Sequence, residues 1–337
     1  MSTVTPRQRF LAALRGEKTD RTPVANVAAL TPVELQERTG CSMPEVHHDP
    51  VKLVRLCAAN HEVLGFDGVS FIINYFNEPA ALGARIHWGS PVDLPMFASH
   101  PWATPEDAAI PGDFLDREPI RTNLAAIRMA REQFRDDLAV IGKVMGPLSM
   151  TQVLHGVENT MVGLIDAPDR IQRFLDICVE VLVQCANAQF REGADALVIG
   201  EGGAGAKMLS PAMYERYLAA VHRRMISEIE GPTVLHMCGD ITPRLGSLLR
   251  VGLTCFNFDW AIDPRAMKEA ARGKFSIMGN VNTTDLLRGT PETIEEQVKA
   301  CLEAEVDIIS PGCAVSPQCP VKNFQAMTRA ATSRQTP

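Results

Sequence analysis

The chain has 337 residues, 46% hydrophobic and 22% charged, an ordinary globular composition that suits one large α/β domain or two smaller ones. A formal net charge of −7 argues against a basic nucleic-acid-binding surface, and no run of 18 apolar residues offers a membrane span. The N-terminus lacks the apolar core of a signal peptide, so the expectation is a soluble, cytoplasmic protein. Nine Cys (41, 57, 178, 185, 238, 255, 301, 313, 319) are irregularly spaced, which in a reducing compartment means mostly buried thiols with a minority free for metal.

Residues 5–16 predict a helix with a Thr cap, Pro in its first turn and Gly at its end. A short strand follows at 22–27, with polar Asn26 near its end, then helices at 31–39 and 50–65. The apolar stretch 68–73 predicts a second strand. The long Pro- and Gly-rich region after it, 74–118, has room for a small hairpin, and a loop of that length in a compact fold is usually functional. From residue 120 the alternation is regular. Strands are predicted at 138–146, 196–201, 233–239, 255–260, 275–281 and 307–313, separated by helices, with a last helix at about 320–331.

Eight near-continuous apolar strands, each followed by a helix, predict a parallel sheet closed into a (β/α)8 TIM barrel. The whole chain, 1–337, reads as a single domain with an N-terminal helical extension and a long insertion after the second strand. An open doubly wound sheet is the alternative, but no Gly-rich phosphate loop follows the first strand.

A barrel places its chemistry at the carboxyl ends of its strands. Asn26, Asn74, Glu201, His236, Cys238, Asp259, Asn280 and Cys313 all fall there. His236 and Cys238 stand two apart on a strand and so project from one face. By itself such a pair is more often a core Cys beside a hydrogen-bonded His. A third ligand changes that reading, and Cys313 at the end of the eighth predicted strand suits the role. One His and two thiolates make a neutral zinc site with an open fourth position, the catalytic pattern. Cys319 is the rival third ligand, and whether it or Glu201 adds a further ligand stays open. Cys255 begins its strand and reads as core; His47, His48, His61 and His155 read as helix-surface or loop residues.

The sequence resembles the uroporphyrinogen decarboxylase superfamily, within it the branch of zinc-dependent methylcobamide:coenzyme M and related corrinoid methyltransferases. The resemblance spans residues 7–327. It rests on residues 9–23, Glu78 with 81–83, the Met145-Gly-Pro147 turn, 234–239 with Thr242 and Pro243, 279–281 and 311–313. It implies that His236, Cys238 and Cys313 hold Zn2+, and that a methyl group moves between a corrinoid (methylcobalamin) carried by a partner protein and a small-molecule acceptor such as a thiol. It further implies that Glu201, Glu78, Asp259 and Asn280 orient the substrate or handle its proton, with Asn26, Asn74 and Met145 lining the cofactor side. The reverse, demethylation of a small donor, is the alternative. Decarboxylation is disfavoured because residues 24–30 lack the Arg that grips substrate carboxylates in the decarboxylases. No Asp-x-His-x-x-Gly motif is present, so the corrinoid belongs to a separate protein. A homodimer is compatible with these readings.

Overall fold

A computed structural model describes residues 4–27, 32–71, 73 and 75–333. Seven parallel strands form the central sheet: β1 (Gly68–Ser70), β2 (Ala139–Met145), β3 (Ala196–Gly200), β4 (Thr233–His236), β5 (Cys255–Asn257), β6 (Ser276–Val281) and β7 (Ile308–Pro311). They pair strictly in chain order. The predicted strand at 22–27 is the exception. Only Val24 bridges to Ile309, because Pro23 has no N–H to continue the ladder. That bridge still closes the sheet. Ala25 donates to the Ile309 carbonyl, Asp67 donates to the Val24 carbonyl, and the Ser70 hydroxyl donates to the Asn26 carbonyl. The segment therefore fills the gap between β7 and β1, and the barrel is complete with seven strands and one extended eighth segment.

The strands pair in register over at most five residues, so each stays short and buried on both faces. Helices such as Pro168–Arg191, with a strongly one-sided apolar face, cover the outside. The predicted long helix before β4 is real but interrupted. Ser210 caps its start, and residues Tyr214–Leu218 form a π turn before Ala219–Glu228. The insertion after β1 holds the expected hairpin, Ile86–His87 against Met96–Phe97. It packs through Trp102, which stacks on Phe174.

The N-terminal extension is a plug. Thr5 caps helix Pro6–Leu14 and forms a capping box with Gln8. Phe10, Ala13 and Leu14 then pack with Ile141, Val198, Val234, Cys255, Met278 and Ile308 inside the barrel. Phe10 is fully buried, worth roughly 2–3 kcal/mol of apolar transfer. Beneath it, Asp67 accepts from Arg9, Arg21 and the Val24 backbone N–H, all at 2.8–2.9 Å. The closing segment, the plug and β1 are tied by that one carboxylate. No helix among the described residues is long and apolar enough to cross a membrane.

Candidate metal centre

His236 is the last residue of β4, and Cys238 follows it at the barrel mouth. Asn257, next to it on β5, decides how the imidazole is held. Its amide nitrogen donates to the Met278 and Pro311 carbonyls, at 3.1 and 3.3 Å, which leaves its oxygen facing His236. That oxygen lies 2.6 Å from His236 Nδ1. An oxygen acceptor there puts the proton on Nδ1 and leaves the Nε2 lone pair free. Nε2 in turn lies 3.5 Å from Cys238 Sγ, and Cys238 Sγ lies 3.5 Å from Cys313 Sγ.

The three donor atoms all lie within 4.8 Å of one another, the one such group of His, Cys or carboxylate ligands among the described residues. The hydrogen bond from Cys238, against burial, pulls the Cys313 thiol well below its ordinary value, and Cys313 pushes Cys238 up in return. Two thiols this close keep one proton between them unless a cation replaces it. The donor set fits zinc. Bond lengths of about 2.3 Å to sulfur and 2.0 Å to nitrogen in a tetrahedron give donor–donor edges of roughly 3.5–3.8 Å. The loop after the last strand leans across the mouth, since Cys313 follows β7 yet reaches Cys238 after β4.

The other residues singled out in the sequence take different places. Asp259 braces the centre: its carboxylate accepts from the Gly239 and Ala261 N–H groups, each at 2.9 Å, so it holds the turn that follows Cys238. Asn280 donates to the Asp259 and Ile262 carbonyls and ties the β5 loop to β6. Glu201 is fully buried and turned toward helix Pro147–His155, where it accepts from the Leu148 and Ser149 N–H groups and the Ser149 hydroxyl. Gly146 must lack a side chain because that carboxylate occupies the space. Glu78 lies buried in the insertion after β1. Burial raises its carboxyl to about 7, against backbone N–H groups of its own and of Met145 and the charge of Lys143. Met145 ends β2 and is buried. Asn26 is buried on the closing segment, and Asn74 lies outside the described residues.

Several expectations are corrected. Cys319 is buried away from the triad, its thiol pushed up to about 11 by burial, and it supplies no ligand to that group. His155 is a core residue rather than a surface one: Nδ1 lies 2.8 Å from the Trp102 carbonyl and the ring packs on Phe174. His47 is likewise buried, against Trp88. His61, in contrast, is a half-buried residue of helix Pro50–Glu62, in keeping with the helix-surface expectation, with Nδ1 2.7 Å from the Phe66 carbonyl. Cys255 is core, as expected.

Sequence reasoning missed five neighbours of the centre. Asn257 was hidden two residues before Asp259, inside the predicted strand 255–260. His222 links Glu201 to Tyr214, at 3.0 Å on each side, and Arg244 donates to the Ala204 and Gly205 carbonyls. Both come from helices, which strand-end logic ignores. Together they fix the loop whose Ala206 N–H donates to the Cys238 carbonyl. Lys143 and Tyr75 complete the set. A Lys inside an apolar strand was the available signal.

The fold and the site define a closed parallel barrel with a His/Cys/Cys donor cluster at its carboxyl end. The chain belongs to the uroporphyrinogen decarboxylase family, whose pattern matches residues 5–334. It is 30% identical over 335 residues to a methylcobamide:CoM methyltransferase of Methanosarcina barkeri, covering 98% of each chain. It is 29% identical over 338 residues to a methylated-thiol–coenzyme M methyltransferase of Methanosarcina mazei, covering 100% of this chain and 91% of the relative. Among solved structures, a methyltransferase from Methanosarcina mazei superimposes with a TM-score of 0.95 at 30% identity, covering 98% of this chain and 99% of that one.

Proposed function

We propose that the protein is a zinc-dependent methyltransferase that moves a methyl group between a corrinoid-carrying partner protein and the sulfur of a small thiol. One observation carries the reading: His236, Cys238 and Cys313 converge at the barrel mouth as three donors, one fewer than the four that zinc takes, on a chain matched end to end by corrinoid methyltransferases. Zinc in that set would hold a thiol as its thiolate at neutral pH and, with two protein thiolates beside it, keep that sulfur nucleophilic.

The chain's own residues supply the rest. Asn257 holds His236 in the tautomer that presents Nε2, and Asp259 fixes the turn after Cys238 by accepting from the Gly239 N–H. The proton shared by Cys238 and Cys313 must leave when a cation enters, so metal uptake falls with falling pH. Glu201, through Ser149 and His222, anchors the loop beneath Cys238; its role is positional. At the rim, Trp260 is half exposed beside Asp259, on the face a corrinoid protein must approach. Running the same centre on a methylated thiol is the second reading, favoured by the Methanosarcina mazei relative that acts on one.

The test combines metal analysis with methylcobalamin turnover. The wild type is expected to retain about one zinc per chain and to demethylate methylcobalamin, seen as a change in the cobalamin spectrum, when a thiol is supplied. Cys238→Ser should lose both properties while remaining folded. Unchanged zinc content in that variant would overturn the assignment.

A further inference from the structure

The rim beside Trp260 holds a cavity that the functions described above leave unused. It lies between helix Pro264–Ala271, helix Pro291–Glu303 and the residues that follow β5 and β6, with a volume of about 320 Å³. It borders the loop that carries Cys313. A side chain on Gly312, the residue before that cysteine, would begin 2.7 Å from the Trp260 backbone nitrogen. Trp260 itself stands at the edge with 47% of its surface exposed, the one Trp, Tyr or Phe so placed among the described residues.

The walls of the cavity are braced from within the protein. Asn280 is buried and donates to the Asp259 and Ile262 carbonyls. Gln297 is engaged at both ends: its oxygen accepts from the Asn282 N–H at 2.8 Å, and its nitrogen donates to Asp285 Oδ2 at 2.7 Å. Asp263 Oδ1 caps its helix by accepting from the Ala266 N–H, and Asn282 Oδ1 accepts from the Thr284 N–H. Four groups are left without a protein partner among the described residues. Asp263 Oδ2 and Asp285 Oδ1 are acceptors, whereas Asn282 Nδ2 and the Trp260 indole N–H are donors.

That mixed set selects a ligand chemistry. No Lys or Arg lines the cavity, so an anion finds no counter-charge. A simple cation would meet the two carboxylates and leave both donors unmet. A primary amide satisfies both kinds of group, since its NH2 donates and its carbonyl accepts, while its short apolar stem lies on the indole face. The corrin ring is edged with such groups, and its acetamide arms rise on the face that carries the methyl group.

We infer that this cavity is a recognition subsite for the acetamide arms of the corrinoid, read by Trp260, Asp263, Asn282 and Asp285 while the ring covers the neighbouring mouth. The ligand class is an amidated corrinoid, in preference to the same ring carrying esters or free acids. This rests on the corrinoid reading of the function.

Equilibrium dialysis of the zinc-loaded protein, followed by corrinoid absorbance, measures binding without turnover. The probes are methylcobinamide, whose acetamide arms are intact, and methylcobalt(III) heptamethyl cobyrinate, whose ester arms accept hydrogen bonds and donate none. The wild type is expected to bind the amide form about 10-fold more tightly, the worth of one or two hydrogen bonds. Asp263→Ser keeps a helix cap but withdraws the carboxylate, and should reduce that ratio to about 3-fold or less. Trp260→Ala should weaken both corrinoids. Equal binding of the two probes by the wild type would overturn the inference, as would an unchanged ratio in Asp263→Ser or unchanged affinities in Trp260→Ala. A parallel loss of zinc in either variant would also overturn it, by showing that these residues serve the metal centre. If neither corrinoid binds and neither passes its methyl group to a thiol, the corrinoid reading itself is wrong and the inference falls with it.

Discussion

The two ends of the barrel handle buried polar groups in opposite ways. At the closed end, Asp67 is buried between two arginines and a backbone N–H, and Asp195 is held by Arg7 and Arg131 and also accepts from the Val140 N–H. Both carboxylates are fully engaged there, and Phe10 is buried in the lumen behind them. At the mouth, two thiols lie 3.5 Å apart, an imidazole offers a free lone pair and the Lys143 ammonium has no hydrogen-bond partner among the described residues. Satisfied polar groups lock a structure, whereas unsatisfied ones are held ready for something that binds. The difference separates the end that stabilises the fold from the end that holds the candidate site.

That contrast breaks first at the closed end. Asp67→Ala leaves two largely buried arginines without their shared partner, and removing one member of such a group costs about 3–5 kcal/mol. Chemical denaturation should show that loss, whereas zinc bound per folded molecule should stay near the wild-type value. A parallel loss of zinc would mean the two ends are coupled.

Glu78 tests the mouth side by pH. Its carboxyl is raised to about 7 by burial, above its value in the unfolded chain, so the folded state holds the proton more tightly. The contribution is therefore fully present below the unfolded value of 4.5 and is lost as pH rises toward 7. Relative to Glu78→Gln, wild-type stability should fall by on the order of 3 kcal/mol across that window and then level off. A flat difference would show that the carboxyl is not desolvated.

The smallest expected effect lies at Asn257. Asn257→Ala frees His236 Nδ1 from its acceptor, and loss of such an orienting partner typically weakens metal binding about 10- to 100-fold. Competition with a chelator measures this, and saturating zinc should restore full occupancy. Asn257→Asp should keep the acceptor and most of the affinity. Unchanged affinity in the alanine variant would mean the backbone alone orients the ring.

Much of this was legible in the order of residues. Apolar runs bounded by Gly and Pro marked the barrel strands, because burial on both faces demands continuous apolar sequence. Spacing of two along a strand put His236 and Cys238 on one face, a consequence of backbone pleating alone. The capped N-terminal helix was equally plain, since caps are local. Other features needed the fold. That Cys313 and not Cys319 reaches Cys238 depends on how a loop crosses the mouth, and both cysteines follow the same strand in similar local surroundings. That Glu201 turns to a helix N-terminus, and that His155 is core, depends on neighbours more than 50 residues away. The plug and the closing segment are likewise tied together by a contact across distant residues, Asp67 joining Arg9 to Arg21 at the end of the barrel. Periodicity and caps report forces acting within a few residues. Which buried polar group finds a partner, and which is left waiting for a ligand, is settled only when distant segments share one interior.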